Sequence, residues 1–189
     1  MVGTNVGEVE HELCDGRLRC PHCQGRLRPW GHGRVRVLRD RADSLRLRPR
    51  RSRCLDCART HVLMPETLLA RRADAVAVIG AGLAARVGGA GHRRIAADLG
   101  RPVSTVRGWL RRFAARAESI RVAFTTLAHA LDPALPPAAP TGSQFADAVA
   151  AIGVAARAAA LRLGPRPPWP FAARASGGRL LAPRWINSS

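Results

Sequence analysis

The chain contains no lysine: all 31 of its basic residues are arginine. Together with its abundance of Ala, Gly and Pro, this absence fits a GC-rich coding bias, so the choice of Arg over Lys carries no functional weight. Long apolar runs are missing too. The longest uncharged apolar stretch, Ala75 to Ala85, is too short to span a bilayer, and the Ala-rich stretch from Phe145 to Leu163 is interrupted by Asp147, Arg157 and Arg162. The N-terminus is acidic and has no apolar signal-peptide core. These absences predict a soluble, cytoplasmic, nucleoid-associated chain with no membrane partner. Apolar residues are scarce before about Pro65, too few for an independent core, and there a metal staple would help. Acids are scarce after Ala117, where only Glu118, Asp132 and Asp147 occur. Three acids on helical or linker segments do not make the converging carboxylate site that two-metal catalysis needs, so no independent enzymatic activity is expected.

What the chain has is positive charge. Thirteen acids against 31 arginines leave a net charge of +18 and a sequence pI of about 11.8, enough to attract polyanions over long range. The charge is clustered: fourteen Arg against three Asp from Arg17 to Arg59, and seven Arg against one Asp from His92 to Arg116. The first fifteen residues are acidic instead, with Glu8, Glu10, Glu12 and Asp15.

Two cysteine knuckles lie inside the first basic stretch, Cys20-Pro21-His22-Cys23 and Cys54-Leu55-Asp56-Cys57. Each C-x-x-C hairpin can present two thiolates to one ion, and two hairpins complete the tetrahedral S₄ shell preferred by structural Zn²⁺. Such a shell leaves no open position, so the metal would hold the fold and do no chemistry. Thirty residues separate Cys23 from Cys54, a length that a longer β-hairpin absorbs. Cys14, His22 and His61 are competing ligands. A redox C-x-x-C would need a low-pKa pair on a βα turn of an α/β fold, and neither is evident. Gly25 suits a tight left-handed turn that aims backbone amides at the thiolates.

The fold class implied is mainly α, with a small β-rich zinc ribbon at the N-terminus and a helix-turn-helix core. Residues 1–13 lack periodicity and are expected to be disordered. Residues 14–64 read as the ribbon: Val35 and Val37 alternate with Arg34 and Arg36, and Leu45 and Leu47 with Arg46 and Arg48, the period-two pattern of half-buried strands. Residues 65–117 read as the helix-turn-helix domain. Pro65 would open a first helix over 65–87, weakened by Gly80 and Gly82 and ended by the run Gly88-Gly89-Ala90-Gly91. A second helix is expected from His92 to Leu99 and a third from Pro102 to about Ala117, with helical continuation to Ala130 before Asp132-Pro133. Pro133–Gly142 reads as a linker and 143–163 as an Ala-rich helix. Residues 118–163 are therefore expected to be accessory helices, either for docking or oligomerisation or folded back onto the 65–117 core, and 164–189 a flexible tail.

The segment from His92 to Arg111 meets several requirements of a helix-turn-helix. Ala96 is small where two helices cross, Gly100 suits a positive φ in the turn, and Pro102 presets the restart. Ile95, Leu99, Val106, Trp109, Leu110 and Phe113 can share a buried seam. Opposite that seam, Ser104, Arg107, Gly108 and Arg111 recur at i, i+3, i+4 and i+7, the positions a recognition helix turns into the major groove. Arg93, Arg94, Arg101, Thr105 and Arg112 complete the expected DNA contacts. Gly108 costs the helix about 1 kcal/mol relative to Ala, and close approach to DNA is one compensation.

Taken together, the run Cys20-Pro21-His22-Cys23, then Arg28-Pro29-Trp30-Gly31-His32, then Cys54 and Cys57 with Ala58-Arg59-Thr60-His61-Val62-Leu63-Met64-Pro65, resembles a group of bacterial zinc-ribbon/helix-turn-helix proteins. That group is similar in turn to the N-terminal DNA-binding region of insertion-sequence transposases. The resemblance covers roughly residues 14–117. It implies a Zn²⁺-bound protein whose partner is double-stranded DNA, linked to mobile elements or transcription regulation. It also leaves open a non-catalytic transposase accessory role or a transposase remnant, acting as a homodimer or with a separately encoded transposase or recombinase. A zinc ribbon used for protein–protein contacts is the remaining alternative.

Overall fold

The computed structural model describes residues 1–3, 6–136 and 138–182. Among them the fold is mixed, with helices outweighing strands and the strands gathered around the cysteines. A helix α1 (Val6–Cys14) precedes five strands, β1 (Leu27–His32), β2 (Arg36–Arg39), β3 (Ser44–Leu47), β4 (Arg50–Cys54) and β5 (Thr60–Leu63). Six helices follow: α2 (Val76–Val87), α3 (His92–Asp98), α4 (Val103–Ala114), α5 (Ala117–Leu131), α6 (Gln144–Leu163) and α7 (Pro168–Ala175). The strands form an antiparallel sheet of order β1-β4-β5 and a separate antiparallel hairpin β2-β3.

The N-terminus is ordered where it is described, against the expectation for 1–13. Helix α1 turns Val9 and Leu13, one helical turn apart, into a small core with Val2, Cys20, Leu27, Cys54 and Leu63. A paired ion bridge holds its outer side, Arg50 Nε to Glu10 Oε2 at 2.7 Å and Arg50 Nη2 to Glu10 Oε1 at 2.8 Å. Thr4 and Asn5 lie outside the described residues.

The β2-β3 hairpin also differs from its sequence reading. The periodicity is present, but on β2 the faces are exchanged, with Leu38 buried while Val35 and Val37 are exposed; on β3 the expected face is kept, Leu47 packing partly against the core while Leu45 stays exposed. In a two-stranded hairpin only one face meets the protein. Arg39, which bonds through its backbone to Ala73 and Ala75, sets which face that is.

Residues 65–75 form turns and bridges, and α2 begins only at Val76. Three features prevent the helix expected from Pro65. Adjacent Leu68 and Leu69 are both buried, Arg71 takes a left-handed φ of 60°, and Asp74 is drawn inward as an ion-pair acceptor. Gly80 and Gly82 are packing positions within α2. A Cβ on Gly80 would run into the Trp169 indole, and one on Gly82 would stand 3.3 Å from Leu99.

Helices α2 to α7 share one core, in which Ile79, Leu83, Ile95, Val106, Trp109, Phe113, Ile120, Phe124 and Ile152 are buried. Helix α5 presents Ala117, Ile120, Phe124 and Ala128, and α6 lays an alanine stripe, Ala148, Ala151, Ala155 and Ala159 with Ile152, against its neighbours. The accessory helices thus bury much of their apolar surface inside the chain, with Val122, Leu161 and Leu163 left exposed. Among the described residues α6 is the one helix long and apolar enough to cross a membrane, despite Asp147, Arg157 and Arg162.

The tail is ordered as far as residue 182, contrary to expectation. Pro168 and Pro170 sit in the first turn of α7, where a missing N–H breaks no helical bond, so a proline-rich segment can still open a helix. Ala172, Ala173, Leu180 and Leu181 are buried, and Phe171 meets Phe124 edge-on at 6.3 Å. Residues 183–189 lie outside the described residues.

Candidate metal centre and basic helix face

The two knuckles are built alike. Cys20 N–H donates to Gly25 O at 2.8 Å, and Cys54 N–H donates to Arg59 O at 2.9 Å. The residue after each second cysteine, Gln24 or Ala58, is left-handed at φ 59° or 58°. Gly25 therefore does not supply the left-handed turn expected of it. Its missing side chain makes room for the Asp56 carboxylate of the opposite knuckle, into which a Cβ would run. Leu55 N–H donates to Arg26 O at 3.0 Å and ties the knuckles together.

This brings Cys20, Cys23, Cys54 and Cys57 into one cluster, with all four sulfurs within 4.8 Å of one another. Cys20 and Cys57 sulfurs are 3.7 Å apart, Cys23 and Cys54 sulfurs 3.4 Å. A tetrahedral ion with metal–sulfur bonds of about 2.3 Å separates its sulfurs by about 3.8 Å, so the four are positioned to hold a metal ion. Cys14 is exposed with its thiol turned to Glu10, and the His22 side chain is also exposed; neither joins the cluster. His61 sits beside it. Its Nε2 is 3.4 Å from Cys20 Sγ, a distance that suits an N–H···S bond when that nitrogen carries the proton. The Thr60-His61 pair after the second knuckle was the available signal, because a strand leaving a knuckle returns its side chains past the sulfurs.

The thiols act as a coupled set. Burial opposes the Cys20 thiolate, but the amides of His22 and Cys23 and the neighbouring thiols outweigh it and lower its pKa to about 6. At Cys23 the Gly25 amide favours the thiolate, yet Cys54, burial and the other cysteines push it up to about 12. One thiolate forms readily and suppresses the next. A divalent cation removes that repulsion and lets all four ionise.

The second feature is the α3–α4 pair. Leu99 to Pro102 connects the helices, and Gly100 takes φ 60° there. Val106, Trp109 and Phe113 form the buried side of α4. Ser104, Arg107 and Arg111 are exposed on the opposite side. Gly108 is partly covered by Arg112, whose Nη1 donates to Gly108 O at 3.0 Å. Thr105 and Arg112 stand on the flank of α4, half-buried, and Arg93 and Arg94 are exposed on α3, with Arg94 loosely facing Asp98 at 3.9 Å.

Arg101 is placed otherwise than expected. Its side chain is only 10% exposed; Nε donates to Asp74 Oδ1 at 2.7 Å and Nη2 to the Asp40 carbonyl at 2.6 Å. Arg39 reaches the other Asp74 oxygen at 3.0 Å. Arg101 thus joins the β2-β3 hairpin to the helices and has no face left for a ligand. Asp74, absent from the sequence reading, is an acid at the head of the apolar run 75–79, which was the clue to its role.

A protein family described as a domain of unknown function (DUF6431) matches residues 20–109. The matched span begins at the first cysteine of the cluster and ends at Trp109 within α4. No curated protein and no solved structure matches the chain.

The space above Gly108 is filled from within the chain. A Cβ there would stand 2.7 Å from Arg112 Nη1, the mobile end of a long side chain. Gly108→Ala is therefore expected to raise stability by about 1 kcal/mol, the helix-propensity gain, as Arg112 swings aside. A shift of the urea midpoint in the opposite direction would show that the glycine is required for packing.

Proposed function

We propose that this is a non-enzymatic, Zn²⁺-stabilised protein that binds duplex DNA through α3 and α4 as a helix-turn-helix. The observation carrying the reading is the polarity of α4. Its one side is locked into the core by Val106, Trp109 and Phe113, while Ser104, Arg107 and Arg111 stand exposed opposite. A helix held rigidly from behind, with arginines in front, suits insertion into a major groove. Basic hollows on both sides of that exposed ridge support it further. One, of about 770 Å³, includes Arg86, His92, Arg107 and Arg111; the other includes Arg39, Arg71, Arg72 and Arg112. A groove-bound helix meets phosphates on both flanks, so the charge lies where such a duplex would need it.

In this reading the four cysteines hold Zn²⁺, whose contribution is structural because the thiolates fill its shell. The exposed Trp30, with Arg28 and Arg53 guanidiniums 5.5 and 4.9 Å from its ring, extends the basic surface across the sheet. The biological setting is a mobile element or a transcription switch, and an adjacent transposase gene would favour the former.

Selection of bound sequences from a random duplex pool tests the proposal. An enriched motif supports it, and recovery of unenriched sequence sinks the specific-binding reading. Arg107→Ala and Arg111→Ala should each reduce discrimination between sites by about 1–3 kcal/mol where the arginine reads a guanine. Loss of affinity that is equal for all sequences would place these arginines on phosphates instead.

A further inference from the structure

The smaller of the two hollows, about 330 Å³, lies beside the N-terminus of α4 and is lined by Arg39, Arg71, Arg72 and Arg112 with Ser104 and Thr105. Among the described residues four arginines line it beside one carboxylate, Asp74, and both oxygens of that carboxylate already accept from Arg39 and Arg101. Two donors are left over: Arg39 Nε and Arg72 Nε are buried with no hydrogen-bond partner. Buried polar groups are rarely left unpaired without a reason such as an absent ligand. Helix α4 adds its positive end, since Pro102 at its N-cap supplies no side chain to the first-turn amides. Burial and the nearby Arg112 charge lower the Arg72 pKa, against the pull of Asp74, so the chain itself does not neutralise the cluster.

We propose that this hollow is a phosphate site that grips one backbone phosphate of a duplex lying along α4. The proposal rests on the DNA-binding reading above and deepens it by naming the residues that set the helix's register. Guanidiniums bind phosphate oxygens through paired N–H donors, which a cluster of arginines offers from several sides. Thr105 and Arg112 are displaced by about 100° around α4 from Ser104 and Arg111, each being one residue further along. A phosphate held on that flank leaves the exposed ridge free to face base edges. Arg39 comes from the β2-β3 hairpin and Arg71 and Arg72 from the turn before α2, so the site exists only because Asp74 and Arg101 fasten these segments to α4.

The test uses full-length, zinc-loaded protein with Arg72→Gln, and Arg112→Gln as the second variant if the first loses zinc or circular-dichroism signal. Affinity for a short random-sequence duplex is measured across a salt series. Separately, thermal protection by inorganic phosphate is compared with chloride at equal ionic strength. The variants should lower the slope of log affinity against log salt by about one and weaken all sequences alike. They should also lose the phosphate protection that the unsubstituted protein shows. Wild-type slope together with wild-type phosphate protection in both variants overturns the site. Lost protection with an unchanged slope overturns DNA as the source and assigns the site to a free phosphate compound. If the unsubstituted protein binds no duplex, the DNA-binding reading falls, and the phosphate arm alone upholds or overturns the pocket.

Discussion

Removing the metal is expected to unfold the cysteine module (α1, β1, β4, β5 and the knuckles) while the α2–α7 bundle and the β2-β3 hairpin packed on it keep their structure. Among the described residues the cysteine module has a core of seven buried side chains, and two of these, Cys20 and Cys54, are members of the sulfur cluster. So small a core supplies little stability, whereas structural zinc sites contribute on the order of 10 kcal/mol or more of apparent binding energy at neutral pH. The bundle rests on a separate and larger core. Hydrogen exchange on protein treated with a chelator should therefore lose protection in β1, β4 and β5 first. Cys20→Ser should leave the purified protein short of zinc and reproduce the pattern. Full zinc content in that variant, or no zinc in protein prepared without chelator, would overturn the assignment.

Acid should act in the same direction as the chelator. The metal-free cluster carries protons that the loaded one does not, because the Cys23 thiol is held up to about 12. Loading therefore releases protons, and lowering the pH favours the metal-free state by mass action. Zinc affinity should fall as pH falls through the neutral range, and more steeply below about 6, where Cys20 also binds a proton.

Asp74→Ala is expected to be the most damaging substitution outside the cysteines. The carboxylate is 3% exposed and holds two guanidiniums, that of Arg101 being 10% exposed and that of Arg39 42%. Paired in this way the three charges are tolerated in a low-dielectric setting. Deleting the acid leaves the Arg101 cation buried without a counter-charge, a change that costs about 3 kcal/mol or more. Urea unfolding should show a loss of that size, with Arg101→Ala also destabilising and the β2-β3 hairpin gaining exchange in both. A stability within about 0.5 kcal/mol of the unsubstituted protein, the range of ordinary surface changes, would mean that the pair is not what fastens the hairpin. For Arg101 the expected signature is lost stability without altered sequence preference, which separates it from Arg107 and Arg111.

The sequence by itself determined the chemistry that is local. Each of the pairs Cys20/Cys23 and Cys54/Cys57 is set by a C-x-x-C hairpin that closes within a few residues through its own backbone bonds, while the β1–β4 pairing brings the two pairs together. The exposed side of α4 was equally legible, since a helical period assigns Ser104, Arg107 and Arg111 to one side once Val106, Trp109 and Phe113 are placed on the other. What the tertiary structure alone decided is whatever depends on a partner distant in the chain. Which face of the β2-β3 hairpin is buried, where α2 begins, and why Arg101 points inward all depend on contacts around residues 39, 73–75 and 101, drawn together by the backbone bonds of Arg39 and the ion pairs of Asp74. Gly80 reads as a weak helix position until Trp169, eighty-nine residues later, lies upon it. The proline-rich tail reads as disorder until its prolines fall in a first helical turn and its leucines find the core. Burial and charge pairing are properties of neighbours in space, and a short-period pattern carries information only about neighbours along the chain.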